Sequence, residues 1–168
     1  MPDFYGALPN LRTLDLGHNA LLSVPDLAGL TRLEILYLHE NALTELPGLP
    51  PSLTYLNISE NPLDTVALPD LPELIELRML DLGLSTFPGV ALPKLRELHL
   101  RRNRFDAIPE VIRTFTELRL IDLRANALTS VPDWIAELPR LEKLDLRWNE
   151  VYDPPAALVD RGCVVLCE

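Results

Sequence analysis

LRTLDLGHNAL occupies residues 11–21 and decides the fold, because its pattern of leucines and asparagine returns along the whole chain. Six copies fit L-x-x-L-x-L-x-x-N-x-L with an aliphatic residue or phenylalanine at the apolar positions. They begin at Leu11, Leu33, Leu53, Leu95, Leu118 and Leu141. Self-similarity at this period is the signature of a solenoid in which each copy stacks on the next. The sequence therefore predicts a repeat protein.

A seventh copy, LIELRMLDLGL, fills the gap at residues 74–84 and makes every repeat 20 to 23 residues long. It keeps the apolar positions but carries Leu82 in place of the asparagine. A second register from Leu77 would put Ser85 at that position, but it makes repeats of 24 and then 18 residues. We prefer the Leu74 start because it aligns Phe87-Pro88 with the corresponding pairs of other copies. The Leu77 start is the open alternative.

Each copy predicts one short strand of a parallel sheet, because the L-x-L step has the period of a strand with one buried face. The apolar side chains at positions 1, 4, 6 and 11 are expected to stack into one core. The position-9 asparagine is expected to bond to backbone groups of adjoining turns. These asparagines are Asn19, Asn41, Asn61, Asn103, Asn126 and Asn149.

The segments between the strands form the predicted convex side. Residues 109–118 and 132–141 each open with proline followed by an acid, which favours short helices. Residues 44–52 and 65–73 are punctuated by proline and are predicted to be extended or 3-10 segments.

We predict a single domain over residues 1–168. It comprises a thin N-terminal cap at 1–10, seven repeats over 11–151 and a C-terminal capping turn at 152–168. The capping turn is expected to contain a short helix, a turn at Gly162 and a strand from Cys163 to Cys167. A closing turn is needed because the last leucines have no further repeat to bury them.

The motif and its trailing x-x-L-P resemble the leucine-rich-repeat superfamily from Leu11 to about Val151. The 23-residue copies look like the Ras-group and bacterial intracellular type. Residues 43–61 are similar to the shorter repeats of secreted bacterial effectors. The resemblance implies an α/β, curved, right-handed solenoid whose concave parallel sheet binds proteins. Effector relatives that act as ubiquitin ligases carry a separate catalytic domain after the repeats, and nothing in this sequence corresponds to it.

The net charge of −10 argues against nonspecific binding to nucleic acid or anionic membrane. The start of the chain lacks the features of a signal peptide, and no stretch approaches the length of a membrane span. The two cysteines are expected to be free thiols, which suits a reducing compartment. We therefore expect a cytoplasmic monomer, or a protein secreted without a classical signal if it is an effector.

Strand positions 3, 5, 7 and 8 face outward on the predicted concave side and form the candidate binding surface. Its C-terminal part comprises an arginine column at position 7 with polar and aromatic neighbours. These residues are Arg101, Arg124 and Arg147, with Arg102 and Trp148 at position 8 and His99, Asp122 and Asp145 at position 5. One hypothesis is a binding hot spot, in which arginine and tryptophan are enriched. The alternative is a solvated lattice in which the aspartates neutralise the arginines.

The N-terminal half offers a second candidate patch, in which aromatic residues are ringed by acids. Its members are Ile35, Tyr37, His39, Glu40, Tyr55 and Glu60. Such a patch would suit a partly basic partner. The alternative is that the tyrosines are ordinary strand residues.

Features that carry enzyme chemistry are absent from the sequence. It contains no glycine-rich phosphate loop and no G-x-S-x-G, H-E-x-x-H or C-x-x-C motif. His18, His39 and His99 lie in three different repeats without cysteine or carboxylate neighbours at ligand spacing, so no metal site is expected. We predict neither catalysis nor a cofactor. The sequon Asn57-Ile58-Ser59 is interpreted as chance.

The leading hypothesis is a non-catalytic protein–protein interaction module that binds a partner on its concave face. One alternative is a recognition or autoinhibitory region of a larger bacterial effector or signalling protein. A second alternative is recognition of phosphate or another small anion by the arginine column.

Overall fold

A parallel sheet of eight strands in sequential order runs through the computed structural model, which describes residues 8–63, 65–151 and 153–167. Each strand is three residues long, and the repeats supply the first seven. The strands are β1 (Thr13–Asp15), β2 (Ile35–Tyr37), β3 (Tyr55–Asn57), β4 (Glu76–Arg78), β5 (Glu97–His99), β6 (Leu120–Asp122), β7 (Lys143–Asp145) and β8 (Val164–Leu166). The predicted parallel-sheet solenoid is confirmed.

The strand register is the same throughout the sheet, with position 4 of one repeat opposite position 4 of the next. Leu14 lies opposite Leu36, and Leu56 lies opposite Leu77. The second pair assigns Leu77 to position 4, which is the register of a repeat that starts at Leu74.

Leucines at positions 1, 4, 6 and 11 form the core. In the second repeat, Leu33, Leu36, Leu38 and Leu43 are all 0% exposed. Burying such a side chain contributes roughly 1.5–3 kcal/mol relative to leaving it exposed. The equivalent leucines of the first repeat are only partly buried, because β1 is the first strand of the sheet.

The return segments contain less helix than the sequence predicts. The two predicted helices are 3-10 helices of five residues, Glu110–Thr114 and Asp133–Glu137. A 3-10 helix rises about 2.0 Å per residue, more than an α-helix, so few residues carry the chain across the back of a repeat. Residues 44–52 and 65–73 contain no helix, as predicted.

The asparagine ladder links each repeat to the one before it. Asn41 Nδ2 donates to the carbonyl oxygens of Leu16 and Leu38 at 2.9 and 3.1 Å, and its Oδ1 accepts the Leu21 N–H at 3.0 Å. The same pattern recurs at the later asparagines.

Asn103 makes one additional backbone bond where Leu82 replaces the asparagine of the ladder. Asn103 Oδ1, from the next repeat, accepts the N–H groups of both Leu82 and Leu84 at 3.2 and 3.1 Å. Asn103 Nδ2 donates to the carbonyl oxygens of Met79 and Leu100 at 2.7 and 2.9 Å. The bonds to Leu84, Met79 and Leu100 are those of the ordinary ladder, and the bond from the Leu82 N–H is the additional one.

The C-terminal turn continues the sheet by one strand. Helix α1 (Ala156–Asp160) is followed by Gly162, whose φ of 85° is accessible to glycine at little cost, and then by β8. Leu158 and Cys163 are buried against the core. The predicted helix, turn and strand are thus present. Among the described residues, no helix is long and apolar enough to cross a membrane.

Candidate binding surface

Three residues after its strand, every repeat has a position-8 residue in the left-handed backbone region, and none of these residues is glycine. They are His18, Glu40, Glu60, Asp81, Arg102, Ala125 and Trp148, with φ between 52° and 62°. The left-handed conformation costs such residues roughly 1–2 kcal/mol, so the surrounding ladder has to hold it. The turn leaves long position-8 side chains open to solvent. Trp148 is 59% exposed, and the Arg102 side chain is also 59% exposed, with Nη1 3.8 Å from Asp81 Oδ2.

Arg124 and Arg147 are each tied to an aspartate two residues earlier on the same strand. Arg124 Nε and Nη2 donate to the two carboxylate oxygens of Asp122 at 2.8 and 2.6 Å. Arg147 does the same to Asp145 at 2.9 and 2.7 Å. Asp122 and Asp145 are only 4% and 3% exposed. The prediction that these aspartates lie open on the surface is wrong, because neighbouring strands and the paired arginines cover them.

Asp122 stays ionised in this setting. Burial raises the pKa of its carboxyl, but the hydrogen bonds from Arg124, with the His99 ring nearby, outweigh burial and hold that pKa well below its ordinary value. Arg124 Nε also lies 3.6 Å from Asp145 Oδ2 on the next strand. The two aspartate–arginine pairs therefore form one lattice across β6 and β7.

The lowered pKa of Asp122 predicts an acid-dependent loss of stability. A carboxyl whose pKa is depressed by folding stabilises the protein above its unfolded-state pKa and loses that contribution as pH falls. We expect the free-energy gap between wild type and Asp122→Asn to be constant from about pH 7 to 5 and to shrink below about pH 4. Urea unfolding at several pH values measures this gap. A gap that stays constant down to about pH 3 would contradict the assignment.

Arg101 differs from the other two arginines of the column. His99, not aspartate, stands two residues before it, and no carboxylate in the described part of the chain lies within ion-pair distance. Its Nε is buried without a hydrogen-bond partner among those residues. Its guanidinium carbon lies 5.7 Å from the Trp148 ring centroid, and that of Arg147 lies 5.8 Å away. Trp148 thus joins the fifth and seventh repeats through cation–π contacts.

His99 is surrounded by three carboxylates, of which the sequence singled out Asp122 but not Glu76 or Glu97. Its Nε2 lies 3.7 Å from Glu76 Oε1 and 3.4 Å from Glu97 Oε2, and its Nδ1 lies 4.0 Å from Asp122 Oδ2. Arg78 Nε donates to the same Glu76 oxygen at 2.6 Å. Aligning positions 3 and 5 of successive repeats would have found these neighbours.

The predicted N-terminal aromatic patch is a continuous row. Tyr37 lies 4.9 Å from Tyr55 and 5.9 Å from His39 between ring centroids. The Arg78 guanidinium carbon lies 5.9 Å from the Tyr55 ring centroid. Burial raises the pKa of the Tyr55 phenol. The row meets the carboxylate cluster around His99 at Arg78.

The expectation that the histidines have no ligand-type neighbours is wrong. His18 Nε2 lies 3.2 Å from His39 Nε2, and His18 Nδ1 lies 2.8 Å from Glu40 Oε2. The repeat places residues that are 21 or 22 apart on adjacent turns. Sequence spacing alone therefore underestimated the contact.

The sequon asparagine, Asn57, is buried. It is 9% exposed, and its Oδ1 accepts the Ser59 N–H at 3.1 Å. Burial of the amide favours the interpretation of this sequon as chance.

Family models match three stretches of the chain. "Leucine rich repeat" matches residues 93–151, "Leucine Rich repeats (2 copies)" matches residues 9–51, and a further "Leucine Rich Repeat" matches residues 52–74. The chain belongs to the leucine-rich-repeat superfamily. Proteins of this superfamily generally mediate protein–protein interactions, and their repeat domains are generally non-catalytic binding modules.

Several curated proteins are similar over part of the chain. Toll-like receptor 2 type-2 of Gallus gallus is 34% identical in an alignment of 114 positions that covers 62% of this chain and 14% of the receptor. The probable serine/threonine-protein kinase pats1 of Dictyostelium discoideum is 39% identical over 62% of this chain and 3% of the kinase. Mimecan of Mus musculus is 33% identical over 63% of this chain and 38% of mimecan. The matched part is thus well under half of each relative's length. These relatives are eukaryotic, so the bacterial type expected from the repeats stays a prediction.

Solved structures show the same fold. A leucine-rich-repeat protein of Leptospira interrogans aligns with a TM-score of 0.66 at 24% identity, over 98% of this chain and 51% of that chain. The plant peptide hormone receptor RGFR1, solved in complex with RGF2, aligns with a TM-score of 0.56 at 26% identity, over 100% of this chain and 26% of the receptor.

Proposed function

We propose that this chain binds a protein partner through the exposed face of its sheet, with Arg101 and Trp148 at the centre of the contact. The observation that carries the proposal is the contrast within the arginine column. Arg124 and Arg147 are neutralised by buried aspartates, whereas Arg101 has no ion-pair partner in the described chain and lies against an exposed tryptophan.

The chemistry of this pair matches that of a binding hot spot. Tryptophan and arginine are the side chains most enriched where truncation costs the most binding energy. The Arg101 guanidinium lies against Trp148 and not against a carboxylate of the described chain. A ligand therefore does not have to compete with such a carboxylate for it. A partner that offers a carboxylate to Arg101 and an apolar or flat group to Trp148 would satisfy both.

Recognition of a small anion by the whole column is less well supported. Bidentate hydrogen bonds to Asp122 and Asp145 occupy two of the three arginines. An anion would have to displace buried carboxylates that are already paired, which is unfavourable. The geometry therefore favours a partner with a larger contact area over free phosphate.

Two single substitutions test the proposal. We expect Arg101→Glu and Trp148→Ala each to weaken partner binding by about 30-fold or more, because hot-spot truncations cost about 2 kcal/mol or more. A pull-down from a lysate of the source organism identifies the partner, and isothermal titration calorimetry with the purified partner gives the affinities. Circular dichroism checks that each variant is folded.

Arg113→Glu is the matched control, because Arg113 lies in the 3-10 helix behind the sheet and pairs with Glu137. It makes the same charge change as Arg101→Glu on the opposite side of the repeat. Binding that is lost equally in this control would indicate a general charge effect. Binding that survives both site substitutions would refute this centre of contact and direct attention to Tyr37 and Tyr55.

A further inference from the structure

A pair of histidines at the N-terminal end of the sheet meets edge to face. His18 occupies position 8 of the first repeat, and His39 occupies position 7 of the second repeat. Their ring centroids are 4.7 Å apart with an interplanar angle of 79°, and their Nε2 atoms are 3.2 Å apart. Glu40, next to His39, accepts a hydrogen bond from His18 Nδ1 at 2.8 Å.

We propose that His18 and His39 bind a divalent transition-metal ion such as Zn²⁺ through their Nε2 atoms, with Glu40 orienting His18. The proposal is independent of partner binding at Arg101 and Trp148.

The separation of the two nitrogens suits tetrahedral coordination. Zinc–nitrogen bonds of about 2.0–2.1 Å place two ligands of a tetrahedron roughly 3.3–3.4 Å apart. The observed 3.2 Å separation is within a small ring rotation of that distance. The side chain of His18 is 66% exposed and free to make the rotation. Water molecules would complete the coordination, because the pair faces solvent.

Glu40 fixes the protonation state that His18 needs as a ligand. A carboxylate that accepts the Nδ1 proton leaves the Nε2 lone pair free, and this carboxylate–histidine arrangement is typical of metal sites. Without an ion, one of the two Nε2 atoms carries a proton and donates a hydrogen bond to the other Nε2. The ion replaces that proton, which moves to His39 Nδ1. This nitrogen is buried without a hydrogen-bond partner among the described residues, so the metal–nitrogen bonds have to outweigh the cost of an unpaired N–H.

Gly17 makes room for the His39 ring. A Cβ added at residue 17 would overlap His39 Cε1 and would lie 2.8 Å from His39 Nδ1. Position 7 carries a side chain in each of the other six repeats. The first repeat therefore differs at the one place where the His39 ring needs space.

The second cluster of metal-ligand type in the described chain is a weaker candidate. Glu76, Glu97 and His99 also bring ligand atoms within 4.8 Å of one another. Arg78 already donates to the Glu76 oxygen that faces His99. A cation there would have to compete with a fixed guanidinium, whereas Glu40 is the one charged side chain of the described residues that pairs with His18.

Isothermal titration calorimetry of the tag-free full chain with Zn²⁺ tests the site. We expect one ion per chain, and at least about tenfold weaker binding in His18→Gln and in His39→Gln. Glu40→Gln is expected to weaken binding about 10–100-fold, as substitutions of orienting carboxylates do. Gly17→Ala is expected to weaken binding without removing a ligand. Ring nitrogen chemical shifts from NMR should change at His18 and His39 on addition of Zn²⁺.

His99→Gln is the matched control and should bind Zn²⁺ as wild type does. Loss of binding in this control with retention in His18→Gln would overturn the proposal and place the ion at the Glu76 cluster. Absence of saturable Zn²⁺ binding by the folded wild type would also overturn it, as would unchanged nitrogen shifts at His18 and His39.

Discussion

Replacing Phe115 with alanine is expected to lower the free energy of unfolding by about 3–5 kcal/mol. Phe115 ends the first 3-10 helix and is 1% exposed, among the largest fully buried side chains of the described chain. Its removal leaves a cavity between repeats whose backbones are held in place by the sheet and the asparagine ladder. The cavity therefore collapses only partly, and the loss in free energy of unfolding is near the upper part of the range for point substitutions. Urea unfolding followed by circular dichroism gives the value.

Phe87→Ala is the matched control for this substitution. Phe87 lies 6.1 Å from Phe115 between ring centroids but is only partly buried. The same atoms are removed, yet less apolar surface is exposed, so the loss should be clearly smaller. Equal losses in the two variants would show that burial does not determine the effect at this interface.

Replacing Asn103 with alanine is expected to cost about 3–5 kcal/mol. Asn103 is 8% exposed, and its amide pairs with four backbone groups of Met79, Leu82, Leu84 and Leu100. Alanine leaves these groups without the side-chain partner in a place that water reaches poorly. Each buried group left unpaired costs about 1–3 kcal/mol. Leu82 cannot substitute for the missing amide.

Asn19→Ala is the internal comparison for the ladder. Asn19 is exposed, and among the described residues its Nδ2 donates to the carbonyl oxygens of Leu16 and Gly17, both within its own repeat. Water can replace both bonds, so we expect a loss of less than about 1 kcal/mol. Both variants are compared by urea unfolding. A loss at Asn103 no larger than at Asn19 would mean that the ladder contributes little to the stacking of repeats.

Much of the fold could be predicted from the sequence because every repeat carries the same pattern of apolar positions. An apolar residue, most often leucine, at positions 4 and 6 defines a half-buried strand, and the rule holds for β1 to β7. The choice of Leu74 over Leu77 also agreed with the observed register, because the proline pairs mark the return segments. The closing strand was predicted because an uncovered apolar end is unfavourable. Helix type was not predicted, since a five-residue segment has too little pattern to separate α from 3-10.

The candidate surface could be predicted only as columns of residues. Repeat positions identified Arg101, Arg124 and Arg147 as neighbours, but equal positions did not imply equal environments. Arg124 and Arg147 have an aspartate two residues earlier, and Arg101 has His99. The difference was visible in the sequence, but its consequence depends on which donor and acceptor atoms meet in space.

The sequence by itself determined the repeat, the parallel strand order and the residues that share the exposed face, because these follow from local periodicity. The tertiary structure alone decided that Asp122 and Asp145 are buried, that Arg101 lies against Trp148, and that His18 meets His39 over Gly17. The physical reason is that long polar side chains choose among several neighbours within reach. That choice depends on distances of a few tenths of an ångström between adjacent turns, which periodicity does not specify.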